Sequence, residues 1–149
     1  MSVVFRPAER CEVPAIVALL QDDALGAARE GDNMVPYFAA YDVMMQENGN
    51  QLIVGVSDTR VVATYQLTLI TGLSLRASRR AQIESVRVAS ELRGQGIGQL
   101  MIEDAVARAR TGGCSLIQLT MHKSRTDTAR FYEGLGFTPS HFGFKRSTV

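Results

Sequence analysis

Two cysteines, two histidines and a formal net charge of +1 are all that this chain of 149 residues shows of the features that most often announce a function. Cys11 and Cys114 lie far apart, in no spacing that a metal site or a small disulfide framework uses. Both are expected to be reduced thiols of a cytoplasmic protein. His122 and His141 stand alone, without a cysteine or carboxylate cluster beside them, so no metal is expected. The near balance of 16 Lys and Arg against 15 Asp and Glu lacks the basic footprint of a nucleic-acid binder. No segment reaches the roughly 18 uninterrupted apolar residues of a membrane span. The opening Met1-Ser2-Val3-Val4-Phe5-Arg6-Pro7 has neither the charged start nor the apolar stretch of a signal peptide. Neither nucleic acid nor membrane is therefore expected as a partner. Internal repeats, low-complexity tracts and linkers are missing too. The expectation is one domain, residues 1–149, around one substantial core.

What is present is periodicity. Val3 to Arg6 reads as a short strand. Val13, Ile16, Val17 and Leu20 recur at helical spacing over 11–21, where Pro14 is tolerated in the first turn. From Asp22 to Pro36 the pattern dissolves into a loop, and 37–48 reads as a second helix. Leu52 to Val56 and Val61 to Ile70 form a hairpin signal, followed by a basic turn and a strand from Gln82 to Val88. Met101, Ile102, Ala105, Val106 and Ala109 make one apolar stripe on a helix over 97–111, which Gly112-Gly113 ends. Leu116 to Met121 reads as a central strand buried on both faces. A last helix over 126–135 and one or two strands within 137–146 complete the order. An antiparallel run that passes into a β-α-β unit implies a mixed sheet with helices packed on it, an α/β (α+β mixed) fold.

The sharpest local signal is Arg93-Gly94-Gln95-Gly96-Ile97-Gly98, between a strand and an amphipathic helix. Alternate glycines let the backbone turn so that several N–H groups face one concavity, and the helix start adds partial positive charge. A phosphate or pyrophosphate suits such a site. A dinucleotide fingerprint would need glycine where Gln99 stands, and a P-loop would need a Gly-Lys followed by Ser or Thr. On spacing alone, a phosphate cradle and a ligand-free glycine turn both remain open.

The stretch Val86 to Gly98 resembles the coenzyme A signature of the GNAT N-acetyltransferase superfamily, Arg/Gln-x-x-Gly-x-Gly/Ala, met by Arg93, Gly96 and Gly98. A second block, Ala129-Arg130-Phe131-Tyr132-Glu133-Gly134-Leu135-Gly136-Phe137, resembles that family's later Phe-Tyr-x-x-x-Gly-Phe segment, and Phe5-Arg6-Pro7-Ala8 its N-termini. The resemblance spans nearly the whole chain. It implies a central, mostly antiparallel mixed sheet of six to seven strands flanked by about four helices. It also implies an acyltransferase that moves an acetyl group from acetyl-coenzyme A to an amine by direct attack in a ternary complex, with a homodimer plausible.

By that resemblance, backbone groups of Val86, Arg87 and Val88 pair with the pantetheine arm, and Val88 N–H faces the oxyanion. The loop Arg93, Gly94, Gln95, Gly96, Ile97, Gly98 and Gln99 holds the pyrophosphate through main-chain amides. Tyr132 is the general acid for the departing thiolate, and Glu84, two residues before Val86, is the candidate base for the amine. Many relatives carry Asn seven residues before the Tyr; Arg125 stands there, suited to a coenzyme A phosphate. The acidic run Asp22, Asp23, Glu30 and Asp32 is either a solvated loop or a guide for a cationic amine. Tyr37, Phe38 and Tyr41 are core or acceptor-pocket residues. The competing function is a non-catalytic acyl-coenzyme A sensor or interaction module on the same fold.

Overall fold

A computed structural model describes residues 1–149. The elements run β1 (Val4–Pro7), α1 (Val13–Gln21), α2 (Ala24–Arg29), α3 (Val35–Met44), β2 (Asn50–Ser57), β3 (Arg60–Ile70), the single turn α4 (Ser74–Ala77), β4 (Arg79–Val88), α5 (Ile97–Thr111), β5 (Cys114–Leu119) and α6 (Thr126–Gly134). One-turn 3₁₀ segments precede α1 at Arg10–Glu12 and follow β4 at Ser90–Leu92. The sheet has the order β1-β2-β3-β4-β5. Its first four strands pair antiparallel, and β5 joins β4 in parallel after the α5 crossover.

Each face of the sheet has its own apolar cluster. On one side Ile53, Tyr65, Leu67, Ala81 and Ile83 meet Met101, Ile102, Ala105 and Ala109 of α5 and Tyr132 of α6, as the stripe on 97–111 requires. On the other, Val54 packs with Val13, Ile16 and Val17 of α1 and Tyr41 of α3. Burial of each such large apolar side chain contributes about 1.5–3 kcal/mol, so the α5 stripe alone fixes that helix to the sheet. A polar tie runs through the first cluster. The hydroxyl of fully buried Tyr65 donates to Asp104 Oδ2 at 2.5 Å, and Arg108 Nε donates to the same oxygen at 2.8 Å. Arg108 also reaches the Phe5 carbonyl at 3.2 Å, so one side chain links α5 to β1.

Three expectations need correction. The sheet has five strands, not six to seven, because 138–149 forms none. Phe142 and Phe144 alternate as in a strand yet are 91% and 93% exposed, and in this segment the one backbone–backbone bond outside regular elements runs from Ser140 to Thr138. Pro139, which lacks a donor, opens the segment. Secondly, β5 is an edge strand rather than a central one. Ile117 and Leu119 pack on the α5 cluster, whereas Leu116 on the opposite face stays 43% exposed because nothing covers it. Thirdly, the region 22–36 contains α2, started by Asp23, whose carboxylate accepts the Gly26 N–H at 2.5 Å.

Candidate active site

Strands β4 and β5 stay together only as far as Ile83 and Leu119, just past a side-chain bond from Gln118 to Gln82 of 2.8 Å. Beyond that point β4 continues alone beside β3 to Val88, paired there with Ala63. A bulge helps it turn away: Ser85 takes φ +52°, and the β3–β4 register slips between Thr64 and Gln66. The result is a fork in the sheet. Ala89 N–H bonds to the Val62 carbonyl of β3, so by alternation the backbone groups of Val88 point the other way, into the fork. Side chains hold the carbonyls on that side: Arg93 Nε donates to Val88 O at 3.3 Å and Arg87 Nη1 to Val86 O at 2.9 Å.

The fork ends at the glycine loop. Gly94 and Gly96 have φ of +77° and +83°, conformations that side chains disfavour. Gly96 is the N-cap of α5 and offers no side-chain acceptor, so the first N–H groups of the helix are left for another partner. Gly98 lies under Phe131, where a Cβ would stand 3.2 Å from Cζ. Together Val88, Arg93, Gly94, Gly96, Gly98, Gln99 and Phe131 line a concavity of about 290 Å³ with Leu92. Arg93, Gly94, Gly96 and Gly98 belong to the stretch in which the sequence suggested a phosphate cradle, Gln99 joins them by the family resemblance, and a diphosphate suits this donor set. A wider depression of about 680 Å³ between α1 and the β2–β3 turn holds Asp22 of the acidic run but none of the residues expected to bind coenzyme A or to act in catalysis.

Tyr132 stands on α6 with its ring edge-on to Phe131 and Phe137, centroids 5.2 and 5.6 Å away. Burial pushes its hydroxyl above the ordinary tyrosine value, while Arg87 and Arg125 pull it the opposite way. The hydroxyl therefore stays protonated at neutral pH, and the two arginines are close enough to act on it. Glu84 is exposed, opposite Gln66 in register, and forms no ion pair with Arg79 or Arg87. Its neighbour Ile83 packs toward α5, so Glu84 faces the α1 side. Val86 and Val88 also pack toward α5, which turns Arg87 to the α1 side as well.

Of the acidic run, Asp22, Asp23 and Glu30 are engaged, whereas Asp32 has no hydrogen-bond or ion-pair partner. Asp22 accepts Ser90 N–H at 2.9 Å and Ser90 Oγ at 3.2 Å, bonds that hold its carboxyl below the usual range. Asp23 lies 3.1 Å from Arg125 Nη2 and 3.4 Å from Arg87 Nε. Burial pushes its carboxyl up, but the Gly26 N–H and both arginines outweigh that and hold it down. Glu30 accepts the Tyr37 hydroxyl at 2.6 Å. Tyr41 bonds the Ala8 carbonyl at 2.9 Å within the α1 cluster, and Phe38 lies under the Arg10 guanidinium. Sequence reasoning missed the Asp23 junction. Its one visible signal was an aspartate ahead of Ala24-Leu25-Gly26-Ala27-Ala28-Arg29, the pattern of a capped helix.

Comparison with known proteins gives a family match, a curated relative and two solved structures. Residues 14–137 match the acetyltransferase (GNAT) family. A curated aminoalkylphosphonate N-acetyltransferase of Salmonella typhimurium is 35% identical over 66 residues, so the alignment spans 44% of this chain and 43% of that protein. Among solved structures, a protein of Bacillus halodurans C-125 described as a transcriptional regulator is 40% identical, with a TM-score of 0.94 over 98% of this chain and 99% of its own. Glucosamine-6-phosphate N-acetyltransferase of Arabidopsis thaliana, 17% identical, shares the fold with a TM-score of 0.82 over 100% of both chains.

Proposed function

The chain belongs to the acetyltransferase (GNAT) family, and from that premise we propose that it moves an acetyl group from acetyl-coenzyme A to an amine by direct attack in a ternary complex. The fork is the observation that carries this reading: main-chain groups of β4 up to Val88 face a gap that leads to the glycine loop. A linear arm bearing amides pairs along Val86, Arg87 and Val88 as an added strand does. Its diphosphate end then meets the N–H groups of Arg93, Gly94, Gly96, Gly98 and Gln99. The thioester supplies an activated acetyl carbon. The amine nitrogen bonds to that carbon, the carbon–sulfur bond breaks, and the sulfur takes the Tyr132 proton. Val88 N–H donates to the charge that develops on the carbonyl oxygen. Glu84, directly or through water, accepts the proton that the amine gives up. The curated relative, named for an amine substrate, supports N-acetylation over transfer to oxygen.

Amide hydrogen exchange tests the binding half of this reading. Acetyl-coenzyme A is expected to slow Val88 and the Gly94–Gln99 amides. Ala89, already bonded to Val62, serves as an unchanged internal standard. Slowing confined to any other region removes the reading. A broad amine panel, read by thiol release and mass spectrometry, tests the chemistry.

A second reading, a non-catalytic acyl-coenzyme A sensor, draws support from the description of the 40% identical Bacillus protein as a transcriptional regulator. The two part on turnover. Release of many equivalents of thiol with some amine belongs to the enzyme. Saturable thioester binding without release across the panel belongs to the sensor.

A further inference from the structure

We propose that the acceptor amine carries a compact oxyanion, and that Arg87 and Arg125 receive it on the α1–α2 side of the fork; this rests on the acyl-transfer reading above. The first ground is direction. Val86 and Val88 pack toward α5, and Val88 lines the glycine-loop concavity, so the Arg87 side chain leaves the opposite face. It is therefore turned away from the diphosphate and toward the side on which Glu84 lies.

The second ground is an incomplete set of partners. The Arg87 side chain is only 15% exposed, and its Nε is buried without a hydrogen bond. Asp23 Oδ2 lies 3.4 Å from that nitrogen, but it also takes Arg125 Nη2 at 3.1 Å, while Asp23 Oδ1 is committed to the Gly26 N–H. The Nη1 of Arg87 reaches only a backbone carbonyl, Val86 O. A guanidinium presents five donors in a plane, so most of this one's capacity is unused.

Charge is the third ground. Arg125, Arg29 and Arg93 all act on Arg87, with Asp23 the carboxylate that supports it. Asp22 is nearer to Arg93 and is held by Ser90. Arg87 and Arg125 share the single carboxylate of Asp23, so two guanidiniums face one negative charge at that junction. A guanidinium pair that shares one carboxylate keeps donors for an anion, for which planar bidentate recognition by Arg is the common solution. An acceptor with its oxyanion on Arg87 and Arg125 directs its amine toward the fork, where Glu84 and the thioester meet.

The test compares three amines of equal chain length, an ω-aminocarboxylate, the matching ω-aminophosphonate and the neutral alkylamine, at saturating acetyl-coenzyme A. Either anionic amine is expected to exceed the neutral one in kcat/KM by about 10- to 100-fold, the span of a charge-assisted pair. The two anionic arms decide between carboxylate and phosphonate. Arg87→Gln is expected to bring that ratio toward unity, and Arg125→Gln gives a second reading should the first variant not fold. Asp23→Asn keeps the helix cap but removes the competing charge, so it is expected to raise the ratio, which a merely structural aspartate would not do. A neutral amine that serves as well as the anionic ones overturns the proposal. So does a ratio unmoved in a variant that still binds acetyl-coenzyme A with the parent Kd. Absence of thiol release with every amine removes the acyl-transfer reading instead; equilibrium binding of the three amines to the thioester complex then reads the same preference.

Discussion

Tyr132 and Tyr65 lie in the same cluster, yet their hydroxyls have different surroundings. Tyr65 is tied to Asp104, whereas the raised position of Tyr132 comes from burial, without a hydrogen bond. Tyr132→Phe is expected to lower kcat by about 10²-fold while the KM for acetyl-coenzyme A holds, because a thiolate leaves tolerably without help. Since burial keeps this hydroxyl protonated, the kcat–pH profile of the parent should show no alkaline fall below about pH 10. Tyr65 carries the stability consequence. Burial first, and Asp104 second, raise it well above the ordinary tyrosine value. Below about pH 10 it is protonated in both states and its contribution is fully present. Above that the unfolded chain loses the proton first, so stability falls by about 1.4 kcal/mol per pH unit for this group. Urea titrations from pH 9 to 11 should show a shallower fall in Tyr65→Phe. At this scale the Phe-Tyr block singled out Tyr132 as a candidate, and the structure buries it on α6 against Phe131. Arg87 was legible only as backbone.

Among elements, α5 and the hairpin of β2 and β3 were readable because each carries its own periodicity and its own stop. The six residues of α2 were not, because they are too few to show a stripe and depend on Asp23 for their start. The glycine loop between β4 and α5 is where an element-level substitution is most telling. Gly96→Ala meets no atom within 4 Å, so its cost comes from φ +83° alone, about 1–2 kcal/mol by thermal or urea unfolding. Its acetyl-coenzyme A Kd should rise by about 10-fold or more as the cradle deforms, measured by calorimetry. An unchanged Kd would remove the loop from the binding site.

For the whole molecule, the segment after Phe137 is separate in energetic terms. Deleting 138–149 should change the unfolding free energy of dilute protein by less than about 0.5 kcal/mol, since its large side chains are exposed. The family resemblance makes a homodimer plausible, and a dimer would have this exposed segment to cover. Phe142 and Phe144 alternate at strand spacing, and the β5 edge of the same chain is free, so two copies are able to satisfy one another. Sedimentation equilibrium should show a dimer that Phe142→Ser with Phe144→Ser dissociates. A monomer at all concentrations would end that idea.

Features with a local cause can be read from short stretches of chain: glycines where φ must be positive, an apolar stripe for α5, an alternating hairpin, and a Phe-Tyr pair ahead of a turn. The remaining features emerge only on folding, because their causes lie far apart along the chain. Arg125 meets Asp23 across 102 positions, and Asp22 meets Ser90 across 68. The fork exists only because a bulge in β4 and the early end of β5 coincide. No window of residues records such a coincidence, since hydrogen bonds between strands and charges between loops form only once the chain has closed on itself.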